Sequence, residues 1–296
     1  GRIRYVAEIA GEHCDRLITI GGAPGYRGVL QPEVLFPKGL QVPLPENAPL
    51  VPDIDEFRFG YLVRISEEAV MEGHTAGRYS GTHFRYPVVY GPRQVSHEVW
   101  GLMQRFTDKR PYIVLPEGGL TLTTHGYSEN VAHAVLLAAQ QPEAAAGQIY
   151  NCADERQFTL AQWVELIGEA MGGTIEIVSV PDRYAYPARS LMMFYGPADH
   201  QMFDLHKVKA ELGYRDPIDP AEALRRTVRW YRDNPPDVPA QFATDLAENY
   251  RMEDDIVPIY RDACARWDAI NHVARDYHHS YPHPKKPGLA KDHRAR

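Results

Sequence analysis
Short apolar segments with strand-like composition alternate along this chain with segments whose apolar residues recur at helical spacing, and this alternation constrains the fold more than any other feature. Arg16–Ile20, Thr82–Tyr86, Tyr112–Leu115, Leu120–Thr124, Gln148–Tyr150 and Thr174–Val180 read as strands. Residues 1–13, 56–73, 96–109, 128–139 and 159–171 read as helices, followed by Lys207–Leu212 and a helix opened by Pro220. Such alternation predicts an α/β fold with a largely parallel sheet, because parallel neighbours need a long crossover and a helix supplies it.

Local signals set the expected boundaries. Gly21-Gly-Ala-Pro-Gly25 reads as a turn between strands. In the 56–73 helix, Glu67 and Glu68 are expected on the wet side, with Ala69 and Val70 facing in. Ser96 and Thr159 are the expected N-caps of their helices, and Gly172-Gly173 ends the second of these. The 128–139 helix is expected to bury Val131, Val135, Leu136 and Ala139. Residues 27–55, rich in Pro, read as a long excursion over the surface, a loop type that is often functional.

The charge balance narrows the partners. Lys+Arg minus Asp+Glu is 32 − 39 = −7, which opposes a general nucleic-acid or anionic-membrane surface. No apolar run is long enough to predict a membrane span. Cys14, Cys152 and Cys264 are far apart and odd in number, so they predict free thiols and suit a reducing cytoplasm. His272, His278, His279 and His283 crowd the tail, but Pro282 and Pro284 favour extended chain there. With no Cys or carboxylate at ligand spacing, a surface arm packing on a partner subunit is expected and no metal.

Four further segments occur in a telling order: Arg85-Tyr-Pro-Val-Val-Tyr-Gly-Pro-Arg93, residues 123–132, Gly147-Gln-Ile-Tyr-Asn151, and Asp204-Leu-His-Lys207 followed by Glu211-Leu-Gly-Tyr214 and Pro217. Together they resemble the extended short-chain dehydrogenase/reductase family, the NAD-dependent epimerase/dehydratase group. The resemblance covers about residues 1–233. It implies an incomplete Rossmann-like parallel sheet over 1–173, a small substrate-cap region over 174–233, and a helical then extended tail over 234–296. It also implies NAD or NADP as cofactor, a small carbonyl or hydroxyl compound as substrate, and a possible homodimer through the 56–73 helix. Gly21, Gly22, Tyr86, Pro87 and Val88 fall at cofactor-lining positions, and Tyr26, Arg93 and Tyr127 at substrate-lining ones.

The departures from the pattern are as informative. No G-x-x-G-x-x-G turn occurs to cradle a pyrophosphate at a helix N-terminus. The resemblance places that turn about 100 residues upstream of Gly1, so NAD or NADP binding is expected only with that half present. The family's Ser/Thr, Tyr and Lys positions correspond here to Gly22, Phe59 and Val63, none of which ionises. A shifted register gives Tyr61, followed four residues later by Ile65 instead of Lys and flanked by the fixed charge of Arg64. Thr123 and Asn130 stand where nucleotide-sugar members carry Arg and Asp, which weakens a nucleoside-diphosphate sugar as substrate.

His125, at a strand end, is the other candidate acid or base, against a hydrogen-bonded structural role. Two functions follow. One is an epimerase/dehydratase-like enzyme using atypical or non-redox chemistry, with Tyr61 and His125 as catalytic candidates. The other is a non-catalytic binding or sensor relative of the same fold, which the loss of three catalytic positions together predicts. RNA binding, a third reading, is opposed by the acidic balance.

Overall fold
Parallel pairing joins all the named strands in the computed structural model, which describes residues 2–192, 196–270, 273, 286–288, 290 and 291. In chain order the elements are α1 (Arg2–Ile9), β1 (Arg16–Gly22), α2 (Arg58–Thr75), β2 (Ser80–Tyr86), β3 (Val88–Tyr90), α3 (Glu98–Thr107), β4 (Tyr112–Pro116) and β5 (His125–Tyr127). They continue with α4 (Ser128–Gln140), α5 (Pro142–Ala145), β6 (Gln148–Asn151), α6 (Leu160–Met171), β7 (Glu176–Val180), α7 (His206–Leu212), α8 (Pro220–Asp233) and α9 (Ala240–Asp268). The strands run in the order β1-β2-β6, with separate pairs β3-β5 and β4-β7. The α/β fold with a parallel sheet is therefore the one the alternation predicts, and it is Rossmann-like as the family resemblance implies.

Two helical layers bury the sheet β1-β2-β6. On one face, α4 and α7 close over Phe84, Tyr86, Tyr150 and Cys152 with Val131, Ala134, Ala138, Val208 and Leu212. On the other lies α2, with α1 packed against it through Ala7, Ala10, Val70 and Tyr79. The 27–55 excursion is pinned, not loose. Tyr26, Val29 and Leu44 share a core with Phe203, and Arg27 pairs with Glu56 at 2.7 Å.

Several local expectations are corrected. Glu67 is not on the wet side of α2. It is buried and takes a two-point ion pair from Arg85 of β2, Nε and Nη2 each 2.7 Å from its carboxylate oxygens. Gly21 and Gly22 belong to β1, opposite Arg85 and Tyr86, and the turn is confined to residues 23–25. The Gly21 position is held open for His83, since a Cβ there would lie 2.4 Å from His83 Nε2. Leu120–Thr124 is not a strand; Leu122 and Thr123 make isolated bridges to Thr159 and Gln201, and the strand is β5. Ser96 does not cap α3, whose N-cap is His97 without a side-chain bond; the Ser96 hydroxyl instead meets Gln94. Leu136 and Ala139 are exposed on α4, where Ala134 and Ala138 take the buried stripe.

Other signals hold. Thr159 caps α6 in a reciprocal capping box with Gln162, and Gly172 ends it in the left-handed region at φ 74°. The chain divides into two compact units, Gly1–Val257 and Pro258–Arg296. Within the first, α9 lies along α3. Arg105 is fully buried and binds both carboxylate oxygens of Glu253 at 2.7 and 2.8 Å, while Tyr250 donates to Asp108. The second contains the end of α9, with Arg266 paired to Asp262 and Tyr260 edge-on to Trp267. The tail histidines His272, His278, His279 and His283 lie outside the described residues.

Candidate active site
Glycines let the backbone close up where β1 ends. A Cβ on Gly60 would sit 2.3 Å from Pro24 O, and one on Gly25 would sit 3.2 Å from Val63 Cγ1. With no side chains in between, α2 packs directly on the 23–25 turn. This close approach brings Phe59, Leu62, Val63 and Ser66 to the carboxyl ends of the parallel strands, where α/β sheets place their ligands.

A cleft of about 1120 Å³ opens there. One wall is Gly21, Gly22, Ala23 and Pro24; another is Tyr86–Tyr90 with the following turn, including Arg93. The third is the start of α3, and the fourth is α9, through Phe242, Asp245, Leu246 and Asn249 at helical spacing. Arg93 holds a positive φ of 63° after Gly91 at φ 132°, a conformation that costs a non-glycine residue and is found at functional turns.

The positions resembling the family's triad do converge. Gly22, Phe59 and Val63 all line the cleft, and all are unable to transfer a proton. Gly21, Tyr86, Pro87, Val88 and Arg93 line it too. Tyr61 does not. It faces away, stacked under the Arg64 guanidinium at 5.1 Å. Tyr26 is buried beside the cleft: its hydroxyl donates to Asn151 Oδ1 at 2.7 Å and its ring lies 4.6 Å under Arg85. Burial pushes its hydroxyl up to about 12. Tyr127 is likewise buried, donating to Glu129 at 3.0 Å.

His125 lies behind the cleft. It lines a chamber of about 30 Å³ together with Glu98, Thr123 and Trp163. Its Nδ1 is 2.7 Å from the Thr123 carbonyl and its ring 4.4 Å from that of Trp163. Burial lowers its pKa to about 4, so the ring is neutral, donating from Nδ1 and leaving Nε2 as an acceptor. Asn130 serves structure. Its side chain bonds Asp154 Oδ1 and the backbone of Ile218, and Asp154 also accepts from Tyr127 N–H and Tyr90 O–H. Burial raises Asp154 to about 7.

The sequence reading passed over Glu98. It is the first residue of α3 and borders both cleft and chamber. Desolvation raises its pKa to about 7 against the lowering effect of Gln94 Nε2, 3.3 Å from Oε2. Asp245 and Asn249 were missed as well; their i, i+4 spacing was visible, but not that the face pointed at a cleft.

A nicotinamide dinucleotide finds little purchase on these residues alone. Val63 and Phe59 offer neither ammonium nor hydroxyl to a ribose or a reacting oxygen, and among the described residues no Gly-rich turn leads from a strand straight into an α-helix to cradle a pyrophosphate. The chain's own groups therefore do not fit the reactive end of that cofactor.

Comparison with known proteins agrees with this architecture. Residues 36–153 match the model of the NAD dependent epimerase/dehydratase family. The uncharacterized protein y4nL of Sinorhizobium fredii is 28% identical over 166 residues, 49% of this chain and 46% of that protein. A dTDP-glucose 4,6-dehydratase of an Actinoplanes species is 27% identical over 154 residues, 49% of this chain and 42% of the enzyme. The chain thus spans less than half the length of these curated relatives. Among solved structures, UDP-glucose 4-epimerase from Thermotoga maritima, with UDP-glucose, superposes with a TM-score of 0.59 at 22% identity, covering 78% of this chain and 68% of that one. A dTDP-glucose 4,6-dehydratase from Bacillus anthracis, in complex with NAD, gives 0.58 at 16% identity, covering 78% and 67%. The fold is that of the epimerases and dehydratases.

Proposed function
We propose, from a chain with the epimerase/dehydratase fold whose residues 36–153 match that family's model, that it acts on a small carbonyl or hydroxyl compound by non-redox chemistry. Dehydration, isomerisation and cyclisation are the reactions in view. The observation that carries the reading is the wall formed by Gly22, Phe59 and Val63. The residues that the resemblance aligns with the family's reactive positions line the cleft, and all three are apolar or bare.

The epimerase from Thermotoga maritima is solved with UDP-glucose, but Thr123 and Asn130 argue for a smaller ligand here. Thr123 carries no charge, and the Asn130 side chain is committed to Asp154 and Ile218, so neither supplies the cationic clamp a diphosphate needs. His125 is the proton-transfer candidate we retain from the sequence. Tyr61, facing away from the cleft, is not retained. We assign NAD or NADP binding to a Gly-rich segment beyond these residues. β1 supports this, since it is the edge strand of its sheet among the described residues and carries Ile20 47% exposed. We further assign 174–233 as the cap region, the α2 helix as the face of a homodimer, and the reducing cytoplasm as the location of the unpaired cysteines. No described helix is long and apolar enough to cross a membrane.

Titration calorimetry with NAD(H) and NADP(H) tests the assignment, on this chain and on a version extended upstream. Binding by the extended version alone supports it. Binding by neither sinks the cofactor-dependent reading and leaves the fold reused for another purpose.

A further inference from the structure
The wall of Gly22, Phe59 and Val63 leaves the cleft without its usual proton-transfer groups, and the structure offers a substitute on the opposite side. Glu98 is the one residue of the described chain that borders the cleft, borders the chamber behind it and carries a carboxyl group. The chamber, about 30 Å³, is large enough to hold a water. Its lining offers such a water the partners it needs. His125 presents Nε2 as an acceptor, because Nδ1 is committed to Thr123. Trp163 is more than nine-tenths buried, and its indole N–H has no partner among the described residues. A buried donor left unpaired is costly, so a polar occupant is favoured over none.

We propose that Glu98 is the proton donor and acceptor of this cleft, its carboxylate supported by a water held between His125 and Trp163, and that it enolises a carbonyl compound seated against Phe59 and Val63. This rests on the reading that the cleft takes a carbonyl or hydroxyl compound. In the forward step the Glu98 carboxylate accepts a proton from the carbon next to the carbonyl. The C–H pair becomes the C=C bond of an enolate, and the carbonyl π pair moves to oxygen. Returning the proton to either face of that carbon restores the carbonyl and the carboxylate. Nothing is oxidised, so no co-reactant is required. The carboxyl is suited to both halves of the step, because its pKa near 7 lets it hold or release a proton at neutral pH. The other charged and titratable groups facing the same space are Tyr86, Tyr90, Arg93, His97 and Arg105, Asp245 of α9, and His125.

The test is deuterium wash-in from D₂O, followed by proton NMR, on the full chain with hydroxyacetone and cyclohexanone as probes and no dinucleotide present. The wild-type chain is expected to accelerate exchange over buffer, and Glu98→Gln to lose about 100-fold of that acceleration. The rate is expected to rise with pH through the Glu98 midpoint, since the accepting form is the carboxylate. Trp163→Phe keeps the ring on His125 but removes the N–H that supports the water beside the carboxylate, so that midpoint should move upward. This second readout does not depend on Glu98→Gln folding. Equal exchange by wild type and Glu98→Gln, no acceleration by wild type with either probe, or an unmoved midpoint in Trp163→Phe would each overturn the proposal. Because the assay omits the dinucleotide, its failure is distinct from failure of cofactor binding by the extended chain.

Discussion

Arg85 and Glu67 face each other across the α2–β2 interface with both partners almost fully buried, their two short hydrogen bonds parallel and 2.7 Å long. The pair is held in register from both sides. Arg85 Nη1 also reaches the Glu46 carbonyl, and its guanidinium covers the Tyr26 ring. One charge left alone in that place has no water to turn to. Glu67→Gln is therefore expected to destabilise the fold by about 3–5 kcal/mol, measured by urea denaturation with an unchanged m-value. A loss under about 1 kcal/mol would show that the pair is solvated in solution.

His83 fills the space that Gly21 leaves, with its Nδ1 2.7 Å from Thr19 Oγ1 and its Nε2 without a hydrogen-bond partner among the described residues. Gly21→Ala puts a methyl group into that ring. The expected cost is about 1–3 kcal/mol, and His83→Ala in the same chain should return part of it. A double-mutant cycle measures the relief. Strict additivity would mean that His83 moves aside freely.

Asp154 gives a pH signature whose sign can be worked out. Burial raises its pKa from 3.8 to about 7 in the folded chain. Between those values the folded state holds a proton that the unfolded state has lost, so this residue's contribution falls as pH rises. His83 and His125 act in the opposite sense. Each is lowered from 6.5 to about 4, so the unfolded state binds more protons in that window and stability climbs with pH. Asp154→Asn keeps an acceptor for the Tyr127 N–H and removes the falling contribution. The variant's stability should climb more steeply than wild type between about pH 4 and 6.5, in denaturation series across that range.

Thr159→Ala removes one half of the α6 capping box while leaving Gln162 in place. A loss of about 1 kcal/mol is expected, read as a drop in Tm, and Thr159→Ser should recover most of it. A null effect would place the start of α6 under the control of the Leu122 bridge alone.

What the sequence revealed, and what it hid, follows from the range of the interactions. Thr159, Gly172 and Pro220 act within a turn of their own position, so the limits of α6 and the start of α8 were legible. The parallel order was legible because strand–helix alternation leaves few other ways to cover a sheet. Glu67 was misread because its partner is 18 residues away on another element, and nothing local distinguishes it from Glu68. Leu136 was misread because the buried stripe of α4 passes through small alanines, which carry a weaker signal than a leucine. At the site, the resemblance pointed to Gly22, Phe59 and Val63, which line the cleft, but nothing in the sequence pointed to Glu98. Its setting is made by β5, α6 and residues 191–192 from across the chain.

The bond between Arg105 and Glu253 has a consequence for how this chain should be compared with others. It fastens α9 to α3, and the preceding turns of α9 supply the cleft wall at Phe242, Asp245, Leu246 and Asn249. That wall lies roughly a hundred residues past the end of the family match at residue 153. Two proteins can be equally alike across the matched stretch and still admit different molecules, because the gatekeeping is written in a helix that the match never reads.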